Sequence, residues 1–217
     1  MTNRNSILQQ KQNGMIGVIT GDIIRSRKAN PDVWLKKLKE QLRPFGKTPV
    51  FWEIYGGDTF QLRLEDPLMV LMAAIKIKAG LRTVKSVDVR MSIGIGDINY
   101  EAKKITESNG TAFIHSGEKF ELLKKEKQNL ALKTPWAGFD TEMNLYLKLA
   151  LFVMDKWTVN GAEMVGISIA NPTMSQEKLG KILGIKQNAV SNRLKRTGFD
   201  TIAELNSLYQ IKLKELL

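Results

Sequence analysis

Hydrophobic positions in the first 135 residues switch between a period of two and a period near 3.6. Residues 15–21 (MIGVITG) form a short, largely β-branched run ending in Gly21-Asp22, which predicts a buried strand followed by a tight turn. Asn30-Pro31-Asp32 then supplies a capping side chain, a proline at the first helical position and an early acid. Trp34, Leu35, Leu38 and Leu42 recur at helical spacing, so a helix follows and ends before Pro44. Residues 50–55 and 59–64 flank Gly56-Gly57-Asp58, a hairpin signature. Asp66-Pro67 opens a second helix reaching about residue 84, with Leu68, Leu71, Met72, Ile75 and Ala79 on one side. Residues 87–96 return to strand alternation, with Val89, Met91, Ile93 and Ile95 on one face. The order βαββαβ is the split βαβ, ferredoxin-like arrangement of a palm domain. A helix over 111–124 and a strand over 129–133 complete it.

Beyond residue 133 the strand pattern stops. The stretch 134–140 (TPWAGFD) contains proline and glycine, so the domain boundary falls there. The chain divides into a flexible arm (1–14), an α+β palm (15–136) and an all-α domain (140–217). In the last part, Met143, Leu147, Ala150, Leu151 and Met154 mark a helix over 141–154, and 158–170 reads as another. Ser175 caps a short helix that closes at Gly184, a three-residue turn follows, and residues 186–197 form a second helix. Short helix, glycine turn and second helix make a helix-turn-helix, and a final helix spans 201–217.

Composition narrows the chemistry. Among 217 residues there is no cysteine and one histidine, His115, which excludes disulfides, thiol nucleophiles and Cys-type zinc sites. Any metal must be held by oxygen ligands, which points to magnesium or manganese. The longest apolar run, 145–154, is interrupted by Lys148 and too short for a bilayer, and the polar first residues lack a signal-peptide core. A cytoplasmic protein without membrane contact is expected. The formal charge is +11, from 33 basic and 22 acidic residues. Excess base lies in 1–135 and 171–217 on either side of a slightly acidic connector, which favours polyanionic partners.

Topology brings two carboxylates together. In a split βαβ sheet the third strand lies antiparallel beside the first, so Asp22 and Asp58 meet at one edge. Such a pair suits one or two magnesium or manganese ions under a nucleotide phosphate. Gly21, Ile23, Gly56 and Gly57 offer backbone for phosphates to approach, and Arg27 offers a cation. The plainer reading is that Gly-Asp simply forms turns. Asp97 falls at the opposite sheet edge, and His115 has no acidic partner at ligand spacing.

The second helix of the helix-turn-helix carries no acid. Lys186, Gln187, Asn188, Ser191, Asn192, Arg193, Lys195 and Arg196 point outward, with Ser175 and Gln176 at the start of the first helix. Amides, arginine and lysine are the side chains that read base edges and phosphates, so double-stranded DNA is the expected partner. The plainer alternative is a packing module with solvated charges. The last helix can pair with a second copy, and a homodimer would present two recognition helices.

The segments Gly17-Val18-Ile19-Thr20-Gly21-Asp22, Trp52-Glu53-Ile54-Tyr55-Gly56-Gly57-Asp58-Thr59-Phe60, Ala79-Gly80-Leu81-Arg82 and Ser108-Asn109-Gly110-Thr111-Ala112-Phe113 resemble the SatD family over nearly the whole chain. That resemblance implies a palm like those of class III nucleotidyl cyclases and GGDEF enzymes, in which Asp22 and Asp58 match the metal-binding positions. The late helix reads Ala112-Phe113-Ile114-His115-Ser116-Gly117-Glu118, without the transition-state asparagine and arginine of the cyclases. The expectation is therefore a DNA-binding transcriptional regulator whose degenerate palm binds a nucleotide or serves dimerisation. The alternative is an active metal-dependent nucleotidyl cyclase or nucleotidyltransferase with a DNA-binding tail.

Overall fold

Strands β1 (Ile16–Ile24), β2 (Trp52–Tyr55), β3 (Thr59–Leu64), β4 (Asp88–Gly96) and β5 (Leu130–Lys133) form one sheet in the order β2-β3-β1-β4-β5. All neighbours run antiparallel except β4 and β5. Helices α1 (Pro31–Leu42), α2 (Val70–Arg82) and α3 (Thr111–Glu126) alternate with the strands. After β5 come α4 (Ala137–Met154), α5 (Val159–Ala170), α6 (Gln176–Leu183), α7 (Gln187–Thr197) and α8 (Phe199–Lys214). The computed structural model describes residues 14–217, an α+β chain with eight α-helices among them. The expected N-terminal arm lies outside the described residues apart from Gly14.

Caps act where the sequence places them. Asn30 Oδ1 accepts from the Asp32 amide at 2.9 Å, Asp66 Oδ1 from Leu68 at 2.9 Å and Ser175 Oγ from Lys178 at 3.4 Å. The expected tight turn at Gly21-Asp22 is corrected. Gly21 pairs with Phe60 and Met91, and Asp22 with Thr59 and Arg90, and the ladder with β4 carries β1 on to Ile24. The chain turns only at Arg25, whose φ of 63° is left-handed, and enters a 3-10 turn at Ser26–Lys28.

Alternation along β1 serves two layers. Ile19 and Ile23 pack with Trp34, Leu38 and Leu42 of α1 and with Leu71 and Ile75 of α2. Ile16 and Val18 pack with Ala112 and Phe113 of α3 on the other face. Under α3 a buried hydroxyl set links the layers: Thr20 Oγ1 lies 2.9 Å from Ser116 Oγ, and Ser92 Oγ donates to the Ser116 carbonyl at 2.6 Å. The helix sits so close that a Cβ on Gly94 would lie 2.1 Å from the Ala112 carbonyl oxygen. Glycine is required there by close approach. The β5 edge is covered by a side chain: the Leu132 amide donates to Asn144 Oδ1 at 2.8 Å, and Asn144 Nδ2 donates to the Leu132 carbonyl at 2.9 Å.

The helices after residue 136 share the sheet's core. Phe139, Met143 and Leu147 of α4, Ala162 and Val165 of α5, and Ile202, Tyr209 and Leu213 of α8 join the same buried cluster as β1 and α2. Burial pushes the Tyr209 hydroxyl well above its ordinary range, so it stays protonated and donates to the Pro67 carbonyl at 2.6 Å. Lys78 of α2, fully buried, pairs with Asp88 of β4 at 2.8 Å and with Asp155 after α4 at 2.6 Å. Arg82 pairs with Asp88 at 3.2 Å and donates through Nε to the Trp157 carbonyl at 3.1 Å. Helices α6 and α7 close a smaller cluster of Met164, Leu179, Val190 and Leu194 against α5. Among the described residues no helix is long and apolar enough to cross a membrane.

Candidate functional site

The carboxylate site lies where β1 leaves the sheet. The register sets Asp22 beside Thr59, and the Ile23 amide donates to the Asp58 carbonyl at 3.1 Å. Ser26 Oγ donates to Asp58 Oδ2 at 2.7 Å, which ties the turn after β1 to the β2–β3 hairpin. On the other side of Asp22, Arg90 of β4 brings Nη1 to 3.8 Å from Asp22 Oδ2. Burial raises the Asp22 carboxyl above the ordinary aspartate range; Arg90 and Lys124 of α3 pull it back and Asp58 pushes it up. Asp22 Oδ1 and Arg90 Nε are both buried without a hydrogen-bond partner.

The other candidate nucleotide contacts separate into two sets. Gly56 and Gly57 lie exposed in the hairpin turn with φ of 59° and 97°, and Arg27 is exposed in the 3-10 turn. Gly21 and Ile23 are closed off. The Phe60 ring would lie 2.7 Å from a Cβ on Gly21, and the Ile23 amide is already used by Asp58. Asp97 follows β4 at the far edge, since Ile16 pairs with Gly96, and His115 Nδ1 lies 2.7 Å from the Ile95 carbonyl oxygen. Nothing in the sequence pattern singles out Arg90, Lys124 or Ser26. Arg90 falls out of phase with Val89 and Met91, and only the register reveals that it faces Asp22.

Hard carboxylate oxygens suit magnesium or manganese, and Asp22 Oδ1 is buried without a hydrogen-bond partner. Yet among the described residues no group of three or more His, Cys, Asp or Glu is arranged around a metal. Asp22 and Asp58 fit an ion only if a bound phosphate completes its shell.

The basic helical face has a different build. Gly184 ends α6 with φ 65°, and a Cβ on Gly180 would lie 2.5 Å from the Ile185 carbonyl oxygen, so α6 rests directly on the turn to α7. Val190, Leu194 and Thr197 bury one side of α7. Lys186, Gln187, Asn188, Asn192, Lys195 and Arg196 are exposed, and Ser191 is half-buried. Arg193 is half-buried too and turns toward the start of α5. Ser175 caps α6, where Gln176 is the first helical residue.

Residues 15–204 match the SatD family. The chain belongs to the SatD family. That match runs from the first strand into α8 and so contains both the carboxylate site and the α6–α7 unit of this SatD protein. No curated protein matches the chain.

Proposed function

We propose that this SatD-family chain is a DNA-binding transcriptional regulator of the cytoplasm in which α6 and α7 form a helix-turn-helix and the sheet forms a ferredoxin-like, cyclase-related palm that binds a nucleotide. The palm reading is supported by the sheet order, in which β3 splits β1 from β2 and β4 flanks β1 on its other side. A nucleotide phosphate would lie by Asp22, Asp58 and Arg90. A magnesium or manganese ion held by the two carboxylates would neutralise phosphate charge there, while Arg90 orients the anion. Without the asparagine and arginine expected on the late helix, the site binds and does not turn over.

The observation that carries the DNA reading is the sidedness of α7. Its apolar side is buried against α5 and α6, while Asn188, Asn192, Lys195 and Arg196 stand exposed on a helix without a single acid. Selection from a random duplex pool should retain a defined sequence, with two half-sites about 34–36 Å apart as a two-fold homodimer requires. Asn188→Ala with Asn192→Ala should lose that preference, at about 1–3 kcal/mol for each bidentate base contact. A pool returned without enrichment would end the reading.

A further inference from the structure

A concave cleft of about 210 Å³ opens between the start of α5 and the last turns of α7. Lys156, Arg193 and Arg196 line it, and no acid does. Its walls are fixed. The Trp157 indole N–H donates to the Thr197 carbonyl at 2.9 Å, and the Trp157 carbonyl accepts from Arg82 at 3.1 Å, so the cleft is tied through α5 to α2. At the helix end the Gly161 amide is already used, because it donates to Thr158 Oγ1 at 3.2 Å. The charged side chains lining the cleft are three cations. Held together without an acid they repel one another, a cost that a bound anion removes.

Size and position select the anion. Pockets that enclose small organic ligands run from about 300 to 1,000 Å³, so this cleft is too small for a nucleotide and suits a single phosphate group with its water. Arg196 lies eight residues beyond Asn188, about 12 Å along α7 at the helical rise. The DNA major groove is also about 12 Å wide, so a duplex with base edges at Asn188 would bring its bounding strand to the cleft. We infer that the cleft between α5 and α7 seats one backbone phosphate of duplex DNA, gripped by Lys156, Arg193 and Arg196. This rests on α7 being the DNA-reading helix.

The test compares wild-type protein with Lys156→Gln/Arg196→Gln, both exposed positions whose replacement does not lower the melting temperature. Binding to a pool-selected duplex and to its scrambled version is measured by fluorescence anisotropy across a salt series. In the double variant the slope of log affinity against log salt should become shallower by about 0.9, one phosphate's worth. Affinity should fall about tenfold on both duplexes alike, and Lys156→Arg/Arg196→Lys should restore it. A parallel titration with inorganic phosphate asks whether a free anion uses the cleft instead. An unchanged duplex slope in the double variant overturns the inference, and phosphate binding lost in that variant would then assign the cleft to a free ion. Wild-type protein that binds no duplex fails at the earlier step and removes the DNA reading of α7 itself.

Discussion

Asp22 lies between opposing influences, with burial and Asp58 disfavouring its charge and Arg90 and Lys124 favouring it. Because its folded value lies above the ordinary 3.8, the native state takes up a proton before the unfolded chain does. Stability therefore falls as pH rises through the folded value, and the penalty is complete at neutral pH. Asp22→Asn removes that penalty. The variant should be more stable than wild type at pH 7 by about 0.5–2 kcal/mol, and the gain should shrink as pH is lowered toward 4. On the proposed nucleotide reading, ATP or GTP with manganese should raise the melting temperature of wild type, and Asp22→Asn and Asp58→Asn should each lose that rise. Melting curves from pH 4 to 8, with and without ligand, read both effects. If the two carboxylates hold no ligand, neither wild type nor variant melts higher with nucleotide and manganese, and only the pH-dependent gain of Asp22→Asn remains. The carboxylate pair was legible because Gly-Asp recurs at two places that an antiparallel β1–β3 pairing must bring together. Arg90 was not, because it needs the register of a third strand.

Among the elements, α2 departs most from its sequence pattern. Leu68, Leu71, Met72, Ile75 and Ala79 describe one apolar face, yet Ala73, Ile77, Lys78 and Gly80 are buried as well. The reason is non-local: α5 and α8 close over the side that the sheet leaves free. Local signals therefore predict the helix and the Asp66 cap of the 3-10 turn that leads into it, but not its partners, and a lysine in such a helix reads from sequence as a solvent position. Lys78 instead neutralises Asp88 and Asp155 at once, and Arg82 adds a second cation to Asp88. Asp155 is partly exposed, so water screens its share; the pairing with Asp88 carries most of the effect. Lys78→Met should keep the volume and leave Asp88 facing Arg82 alone. A loss of about 3–5 kcal/mol in urea unfolding is expected, the cost of breaking a buried pair on one side. A variant as stable as wild type would show that Arg82 suffices and that Lys78 is a passenger in the core.

At the scale of the whole molecule, the connector at 134–140 changes the type of structure without interrupting the core. The sequence marks that change by its proline and glycine, and β5 does end at Lys133 with α4 beginning at Ala137. What the pattern could not reveal is that Phe139, Met143, Tyr209 and Leu213 complete the cluster begun by Ile19, Phe60 and Leu71. Periodicity shows that a face is apolar, not which distant face covers it. Chains beyond about 100–150 residues often unfold in stages, and a sheet followed by helices invites two transitions. The Lys78–Asp155 pair, the Arg82–Trp157 hydrogen bond and the Tyr209–Pro67 bond argue otherwise, because parting the helices from the sheet would break all three and strand a hydroxyl that is now satisfied inside. Unfolding should therefore be a single transition. Native-state hydrogen exchange in low urea should give the Ile19 amide of β1 and the Val165 amide of α5 the same opening free energy and the same urea dependence. Helices α6 and α7, held in their own small cluster, should open at lower free energy, as a unit that adjusts to a duplex would. A lower opening energy at Val165 than at Ile19 would mean that the helices detach before the sheet unfolds and that their shared core is too weak to bind them into one cooperative unit.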